Sequence, residues 1–259
     1  GYDAVRQARI ERMKEKGLLP ADFQSAAPLP VTPQLPGWDQ LDPQRKRIEA
    51  RKMEIYAAMV DNLDHNVGRL LEYLQTSGQM DNTLIVFMSD NGPAGERHEQ
   101  YYPAAPNTDN RLENLGRRGS QIDYGLRWAE VSAAPLRLFK GSTAEGGISV
   151  PAIVQLPASL RRQGLERGVA RVDDLAPTFL ALAGLPDPGD QYQGQPKHPI
   201  TGRSMLPMLE GKGRAEPVMA GELFGSRYYR EGNLKLLGLV PWSMPGQPQP
   251  PLRWQLFDL

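Results

Sequence analysis

The clearest hydrophobic pattern lies between residues 43 and 89 and predicts a long helix followed by a strand. Apolar side chains recur at three- and four-residue spacing at Met53, Tyr56, Ala57, Val60, Leu63, Val67, Leu70, Leu71 and Leu74. Ser77 and Gly78 end this stripe, and the chain is continuously apolar soon afterwards, at residues 84–88. An unbroken apolar run is typical of a parallel strand covered on both faces, and the preceding helix indicates α/β alternation.

Shorter patterns predict further elements on both sides of this block. Helical spacing from Tyr2 ends at Gly17, and a proline-rich, extended connection follows between residues 20 and 43. Residues 147–157 predict a second strand, in which Pro151 favours an edge or a bulge. Residues 172–184 predict a short helix, capped by Asp173 or Asp174.

The pattern changes from about residue 190 onwards. Residues 218–224, 227–240 and 253–259 have the composition of short antiparallel strands, and Glu231-Gly232-Asn233 predicts a turn between two of them. Residues 91–135 lack any clear period, and a loop of that length is usually functional or mobile. We therefore expect an α/β part over residues 1–189 and a small antiparallel unit over residues 190–259.

Composition narrows the function classes. A hydrophobic content of 40% and a charged content of 23% are typical of a globular protein. The charges of thirty basic and thirty acidic side chains cancel, so the net charge does not favour nucleic acid or a membrane surface as partner. No apolar run approaches the length that a membrane-spanning helix needs. The absence of cysteine excludes disulfides, thiolate metal sites and a cysteine nucleophile in this chain. The chain begins Gly-Tyr-Asp, and we expect it to be a piece of a longer protein.

Asp90 and Asn91 form the first candidate site, at the end of the predicted strand. Ligands of open α/β sheets bind outside the carboxyl ends of the strands. Carboxylate and amide oxygens suit Ca²⁺ or Mg²⁺, and Gly92 would permit a sharp turn beside a ligand. The alternative is an ordinary Asp-Asn-Gly turn. Two side chains do not complete a coordination shell, so a cation would need further ligands.

Lys140 is the second candidate, in the stretch LRLFKGSTAEGGISVP at residues 136–151. A lysine ammonium suits a tetrahedral oxyanion, and small neighbouring residues permit close approach. The alternative is a solvated lysine before a glycine-rich turn. The spacing does not match a P-loop.

Histidines and arginines add weaker candidates. His98 lies in the irregular loop and could approach a site, whereas His65 and His198 are interpreted as surface residues. Five arginines could form a positive rim that binds anions: Arg111, Arg117, Arg118, Arg127 and Arg137. The alternative is that they are ordinary solvated charges.

Several stretches together resemble the sulfatase family, in particular bacterial-type arylsulfatases. These stretches are EIYAAMVDNLDHNVGRLLEYLQTSGQMDNTLIVFMSDNG, LRLFKGSTAEGGISVPAIVQLPA, VDDLAPTFLALAGL, ITGRSMLPMLEG and the closing WQLFDL. The resemblance implies a partial alkaline-phosphatase-like mixed sheet with flanking helices, plus a small C-terminal antiparallel unit. It also implies that Asp90 and Asn91 bind a divalent cation, usually Ca²⁺ with Mg²⁺ as the alternative, and that Lys140 contacts the sulfate.

The nucleophile of this family is a formylglycine made from Cys or Ser in a Cys/Ser-x-Pro-x-Arg motif. That motif is absent, since SAAPLR has one residue too many before its proline and SMPGQ has glutamine in place of arginine. The resemblance therefore implies a nucleophile upstream of Gly1, in a missing N-terminal portion of the same polypeptide. We expect the full-length protein to hydrolyse a small-molecule sulfate ester, and the isolated piece to be inactive. The periplasm is the expected compartment, with the cytoplasm as the alternative.

Rival functions remain open at this point. The same superfamily contains phosphate and phosphonate monoester hydrolases, and a shared fold does not decide the leaving group. A catalytically dead homologue that binds an anion or a carbohydrate is a second alternative. A fragment without independent function is a third.

Overall fold

The computed structural model describes residues 1–95, 107–160, 162–240 and 251–259. The helices are α1 (Tyr2–Glu15), α2 (Pro43–Thr76), α3 (Gly125–Ala133), α4 (Glu145–Ile148), α5 (Leu175–Leu182) and α6 (Leu206–Leu209). The strands are β1 (Ile85–Met88), β2 (Ala152–Gln155), β3 (Gln191–Tyr192), β4 (Gln195–Pro196), β5 (Met219–Leu223), β6 (Ser226–Glu231), β7 (Leu234–Leu239) and β8 (Arg253–Asp258). None of the helices in these ranges combines the length and the apolar character that crossing a membrane requires.

The long helix α2 confirms the prediction from the three- and four-residue spacing. Asp42 caps its first turn by accepting a 2.8 Å hydrogen bond from the Arg45 N–H, and Pro43 occupies a position that needs no N–H donor. Gly78, at a φ of 70°, follows the C-cap and lets the chain leave the helix. Much of the apolar stripe is nevertheless exposed, including Leu63 at 51% and Leu70 at 56%.

Strand β1 has an antiparallel partner, and the prediction of a parallel, doubly covered strand is wrong for this pairing. Ile85 lies opposite Gln155 and Met88 opposite Ala152 in the β1–β2 register. Phe87 is 43% exposed and Ile153 is 68% exposed. An apolar run indicates that both faces of a strand are apolar, but it does not indicate the direction of the neighbouring strand. That direction depends on how the chain connects the two strands.

The C-terminal strands form a four-stranded antiparallel sheet in the order β5-β6-β7-β8. The predicted turn joins β6 to β7, with Gly232 at a φ of 56°. The predicted fold class is confirmed: helices and a small sheet precede a separate antiparallel C-terminal sheet. The predicted boundary at residue 190 stays a prediction.

Aromatic side chains from α1, α3 and the proline-rich segment build the buried cluster beside α2. Tyr2 lies 4.6 Å from Trp128 and 5.1 Å from Trp38 between ring centroids, both in edge-to-face geometry. Val131 is buried in the same cluster. The indole N–H of Trp128 donates to the Glu49 carbonyl at 2.9 Å, which joins α3 to α2.

Arg127 and Glu130 hold the proline-rich segment against α3. The Arg127 guanidinium donates to the carbonyls of Leu29 at 2.8 Å, Pro30 at 3.0 Å and Leu35 at 2.8 Å, and Glu130 accepts from the Leu29 N–H. Prolines remove backbone donors, so the carbonyls of such a segment depend on a side chain for partners. Arg127 is therefore buried and structural, and it is not part of an anion-binding rim.

Helix α5 is present as predicted, but its capping differs from the expectation. No side chain caps α5 itself. Asp174 instead accepts a 2.9 Å hydrogen bond from the Arg171 N–H and thereby caps the short 3₁₀ turn Val172–Asp174, which leads into α5. The two elements are continuous, so the carboxylate acts one turn earlier than the sequence pattern indicated.

Candidate functional site

Asp90 and Asn91 follow directly after β1 in a turn that is held by its own side chains. The Ser89 hydroxyl donates to the Asn91 carbonyl at 2.9 Å, and the Asn91 amide nitrogen donates to the Gly92 carbonyl at 2.8 Å. Asp90 is exposed, and within the described residues no ion pair or hydrogen bond engages its carboxylate. The amide nitrogen of Asn91 is engaged with the Gly92 carbonyl, and its Oδ1 is available as an acceptor.

Gly92 is required by close packing and not by a special backbone angle. Residues 90–92 bend as expected, but the φ of Gly92 lies outside the left-handed region, so the bend itself needs no backbone angle that is special to glycine. A Cβ at this position would lie 1.8 Å from the Gly146 carbonyl oxygen. The Gly92 N–H donates to the Gly147 carbonyl at 2.9 Å, so the loop after β1 packs directly on the segment that contains Gly146 and Gly147.

Lys140 lies on that same segment, which runs beside the loop after β1. Its backbone N–H donates to the Pro93 carbonyl at 3.0 Å, and its side chain is exposed. The Gly146 N–H donates back to the Arg137 carbonyl at 2.8 Å, which closes residues 137–147 into a compact loop. The structure therefore brings the backbone that carries Lys140 against the backbone that follows Asp90 and Asn91.

Lys235 on β7 hydrogen-bonds to this segment, and the sequence analysis did not identify Lys235. The side chain is 1% exposed, and its ammonium donates to the Thr143 carbonyl at 2.8 Å and to Glu145 Oε1 at 2.5 Å. Burial lowers the pKa of Lys235, although the hydrogen bond and the charge of Glu145 oppose that change. The available signal was the strand period, which places Lys235 on the same face as the buried Leu237.

The remaining arginines have partners within the fold or lie at the surface. Arg137 donates to the Gln255 side chain at 2.6 Å, and its guanidinium lies 5.9 Å from the centre of the Phe257 ring. Arg111 pairs with Asp109 at 2.7 Å and lowers the pKa of that carboxyl to about 2. Arg117 and Arg118 are exposed. A rim built from all of the predicted arginines is therefore not formed.

Asp90 and Asn91 fit a divalent cation by the chemistry of their oxygens, but they supply only part of a shell. Ranges 1–95, 107–160, 162–240 and 251–259 contain no group of three or more His, Cys, Asp or Glu side chains that could hold a metal. His65 and His198 are exposed, and His98 lies outside the described residues. The buried Thr143 Oγ1 also has no hydrogen-bond partner among the described residues.

Comparison with known proteins gives a consistent family. A family model described as Sulfatase matches residues 10–185. An uncharacterized sulfatase of Schizosaccharomyces pombe is 38% identical over 100% of this chain and 47% of its own length. An arylsulfatase of Klebsiella aerogenes is 35% identical over 83% of this chain and 46% of its own length. An N-acetylglucosamine-6-O-sulfatase of Bacteroides thetaiotaomicron is 29% identical over 62% of this chain.

The chain thus spans about half the length of the first two relatives. The matched region contains β1, the Asp90–Asn91 turn and the Lys140 segment, and the match to the Schizosaccharomyces pombe protein extends over the C-terminal sheet as well. On these grounds this chain belongs to the sulfatase family.

Proposed function

We propose that the full-length protein is an arylsulfatase-like sulfuric ester hydrolase, and that this chain supplies part of its cation and sulfate site. The observation that carries the proposal is the contact between the loop after β1 and the Lys140 segment. That contact places the backbone of Lys140 beside the loop that follows the two hard oxygen donors, Asp90 and Asn91. The family match and the arylsulfatase relative support the same reaction.

In this proposal Asp90 and Asn91 hold a divalent cation, Ca²⁺ in the first place and Mg²⁺ as the alternative. When bound, the cation would withdraw charge from the ester oxygens. Asn91 is oriented for this role because its amide nitrogen is fixed on the Gly92 carbonyl. The remaining oxygen ligands come from other parts of the polypeptide.

Lys140 contacts the sulfate in the proposed site. Its ammonium offsets negative charge on the sulfate oxygens, and this interaction strengthens as charge builds on the leaving-group oxygen. The hydrogen bond from the Lys140 N–H to the Pro93 carbonyl fixes the base of the side chain relative to the cation ligands. A fixed base reduces the reorganisation that would otherwise accompany the reaction.

The nucleophile lies outside this chain in the proposal. A formylglycine requires a Cys or Ser in a Cys/Ser-x-Pro-x-Arg motif, and this chain has no cysteine and no such motif. We therefore place the nucleophile in an N-terminal portion of the polypeptide, and we expect residues 1–259 alone to be inactive. We propose the periplasm as the compartment of the full-length protein. Residues 1–189 would complete the catalytic domain together with that portion, and residues 190–259 would form the small C-terminal unit.

The proposal is tested in the full-length protein with two substitutions and one control. Asp90→Ala should abolish both Ca²⁺ binding, measured by calorimetry, and turnover of an aryl sulfate. Lys140→Ala should retain Ca²⁺ binding and raise the activation free energy for sulfate-ester hydrolysis by about 2–4 kcal/mol, as removal of an oxyanion stabiliser does. Lys16→Ala, at an exposed position after α1, is the control and should behave as wild type.

Undiminished hydrolysis in the Asp90 or Lys140 variant would remove that residue from the site. Faster wild-type turnover of phosphate or phosphonate monoesters than of sulfate esters would favour the phosphohydrolase alternative. Binding of sulfate without turnover of any ester would indicate a dead, anion-binding homologue.

A further inference from the structure

Lys235 is a fully buried cation whose hydrogen bonds leave its own sheet. It belongs to β7, yet its ammonium binds the Thr143 carbonyl at 2.8 Å and Glu145 Oε1 at 2.5 Å. Both partners lie a few residues after Lys140. The Tyr228 ring covers the ammonium at 4.8 Å from the ring centre.

The C-terminal sheet supplies a second cation to the same carboxylate. Arg230 on β6 lies opposite Lys235 in the register, and its guanidinium is 3.9 Å from Glu145 Oε2. Glu145 is 15% exposed, so each of its two oxygens faces a cation in a mostly desolvated position. Such a pair is costly to break, because removal of one partner leaves a buried charge without compensation.

The backbone after Glu145 contacts the loop that follows Asp90 and Asn91. Gly146 and Gly147 follow Glu145, and any Cβ on Gly147 would meet the Ser142 carbonyl oxygen at 2.1 Å. Gly147 accepts the hydrogen bond from Gly92, and Lys140 donates to Pro93. A displacement of Glu145 would therefore shift both the Lys140 segment and the loop after Asn91.

We propose that Lys235, through Glu145 and the Thr143 carbonyl, is a positioning residue that sets the placement of Lys140 relative to the Asp90–Asn91 turn. This inference rests on the proposed function for its catalytic consequence. The C-terminal sheet then acts on the reaction although Lys235 is too deeply buried to touch a substrate. Its contribution is to hold the ammonium of Lys140 and the cation ligands in a fixed geometry.

The test compares two buried positions of β7 in the full-length protein. Lys235→Met removes the ammonium and retains an apolar side chain of similar length. Leu237→Ala is the matched control, because Leu237 is 2% exposed on the same strand and cannot hydrogen-bond to residues 143–145. Both variants are compared at temperatures well below their measured unfolding midpoints, so that each is fully folded during the assay.

The expected result is a split between activity and stability. Lys235→Met should lower kcat for an aryl sulfate about 10- to 100-fold, as small misplacements of catalytic groups do. Leu237→Ala should lower the unfolding midpoint and retain the wild-type kcat. Hydrogen exchange at the Gly146 and Gly147 amides should accelerate in Lys235→Met and not in Leu237→Ala. Equal kcat and equal exchange in wild type and Lys235→Met would overturn the inference.

A second variant keeps the test decisive if Lys235→Met does not fold. Glu145→Gln retains the shape and one acceptor but removes the charge, and should lower kcat in the same direction with faster exchange at Gly146. Wild-type values for both quantities would overturn the inference. If the wild-type enzyme hydrolyses no sulfate ester, the proposed function fails, and the exchange rates of these variants alone decide whether Lys235 positions the segment.

Discussion

Asp174 shows how a single carboxylate joins distant parts of this chain. It is 3% exposed and accepts hydrogen bonds from the N–H of Arg171 at 2.9 Å, the N–H of Arg203 at 2.8 Å and the Arg214 guanidinium at 2.8 Å. Burial raises the pKa of Asp174, but the hydrogen bonds from Arg214, Arg203 and Arg171 together outweigh it, and the pKa lies below its ordinary value.

We expect Asp174→Asn to destabilise the full-length protein by about 3 kcal/mol near neutral pH, because the Arg214 guanidinium is left buried without its partner. The lowered pKa makes this contribution fully present above about pH 4, the unfolded value for Asp, and it disappears as the pH falls through the folded-state pKa. Denaturant unfolding of both proteins from pH 7 to pH 2 measures the difference.

Asp109→Asn is the control for that experiment. The Asp109 pKa is also lowered, to about 2, but its partner Arg111 is 81% exposed. An exposed ion pair is screened by solvent and contributes little, so Asp109→Asn should change the free energy of unfolding far less than Asp174→Asn does. A difference between wild type and Asp174→Asn that stays constant down to pH 2 would contradict the assigned role of the charge.

At the scale of elements, the backbone contact between the loop after β1 and residues 137–147 decides where the candidate site lies. Glycine makes this contact feasible, since a Cβ on Gly92 would lie 1.8 Å from the Gly146 carbonyl oxygen. The contact carries two backbone hydrogen bonds, from Gly92 to Gly147 and from Lys140 to Pro93. Strand β1 and the Lys140 segment therefore form one structural unit.

We expect Gly92→Ala to disrupt this unit, because the new methyl group would have to displace a backbone carbonyl. The predicted cost is about 2–3 kcal/mol of unfolding free energy, at the upper end for overpacking, together with weaker Ca²⁺ binding. Chemical denaturation and calorimetry on the full-length protein measure the two effects.

Gly68→Ala is the matched control, since it introduces the same methyl group within α2, where no described atom outside the local helix backbone lies within 4 Å of the added Cβ. It should stabilise the protein by up to about 1 kcal/mol, because alanine has the higher helix propensity. Equal behaviour of the two variants would show that the close approach at Gly92 is unimportant.

At the scale of the whole molecule, the chain exposes more surface than a complete domain of its mass. Its accessible area is 17496 Å², whereas a folded monomer of 28.8 kDa is expected to expose roughly 11,000 Å². The excess includes large apolar side chains on α2, β1, β2 and α5: Met59, Leu63, Leu70, Tyr73, Phe87, Ile153 and Phe179. Apolar surface of this extent usually contacts another part of a protein.

We expect residues 1–259, expressed alone, to self-associate and to bind a hydrophobic dye, whereas the full-length protein does neither. Leu63→Glu should reduce self-association of the isolated chain, because it replaces an exposed apolar side chain of α2 with a charge. Under the proposal that an N-terminal portion covers this face, the same substitution should destabilise the full-length protein. Sedimentation and denaturant unfolding measure the two responses. A monomeric isolated chain that binds no dye would contradict this prediction.

The local pattern of the sequence was sufficient for several elements. Helical spacing from residue 43 and the stop at Ser77 and Gly78 predicted α2, and Glu231-Gly232-Asn233 predicted the turn between β6 and β7. These features depend on contacts between residues that are close along the chain, and such contacts leave a local signature. The family resemblance of the Asp90–Asn91 and Lys140 stretches was likewise readable, because it rests on short runs of residue identity.

The tertiary structure alone decided the features that depend on distant pairs. It gave β1 an antiparallel neighbour, assigned Arg127 to the carbonyls of the proline-rich segment, and buried Lys235 against Glu145, some 90 positions earlier in the chain. The sequence indicated a turn at Gly92, and only the structure shows that the Gly146 carbonyl also occupies the space that a side chain would need. Contacts between residues that are far apart in sequence depend on how the whole chain folds, and the local pattern of residues does not contain that information.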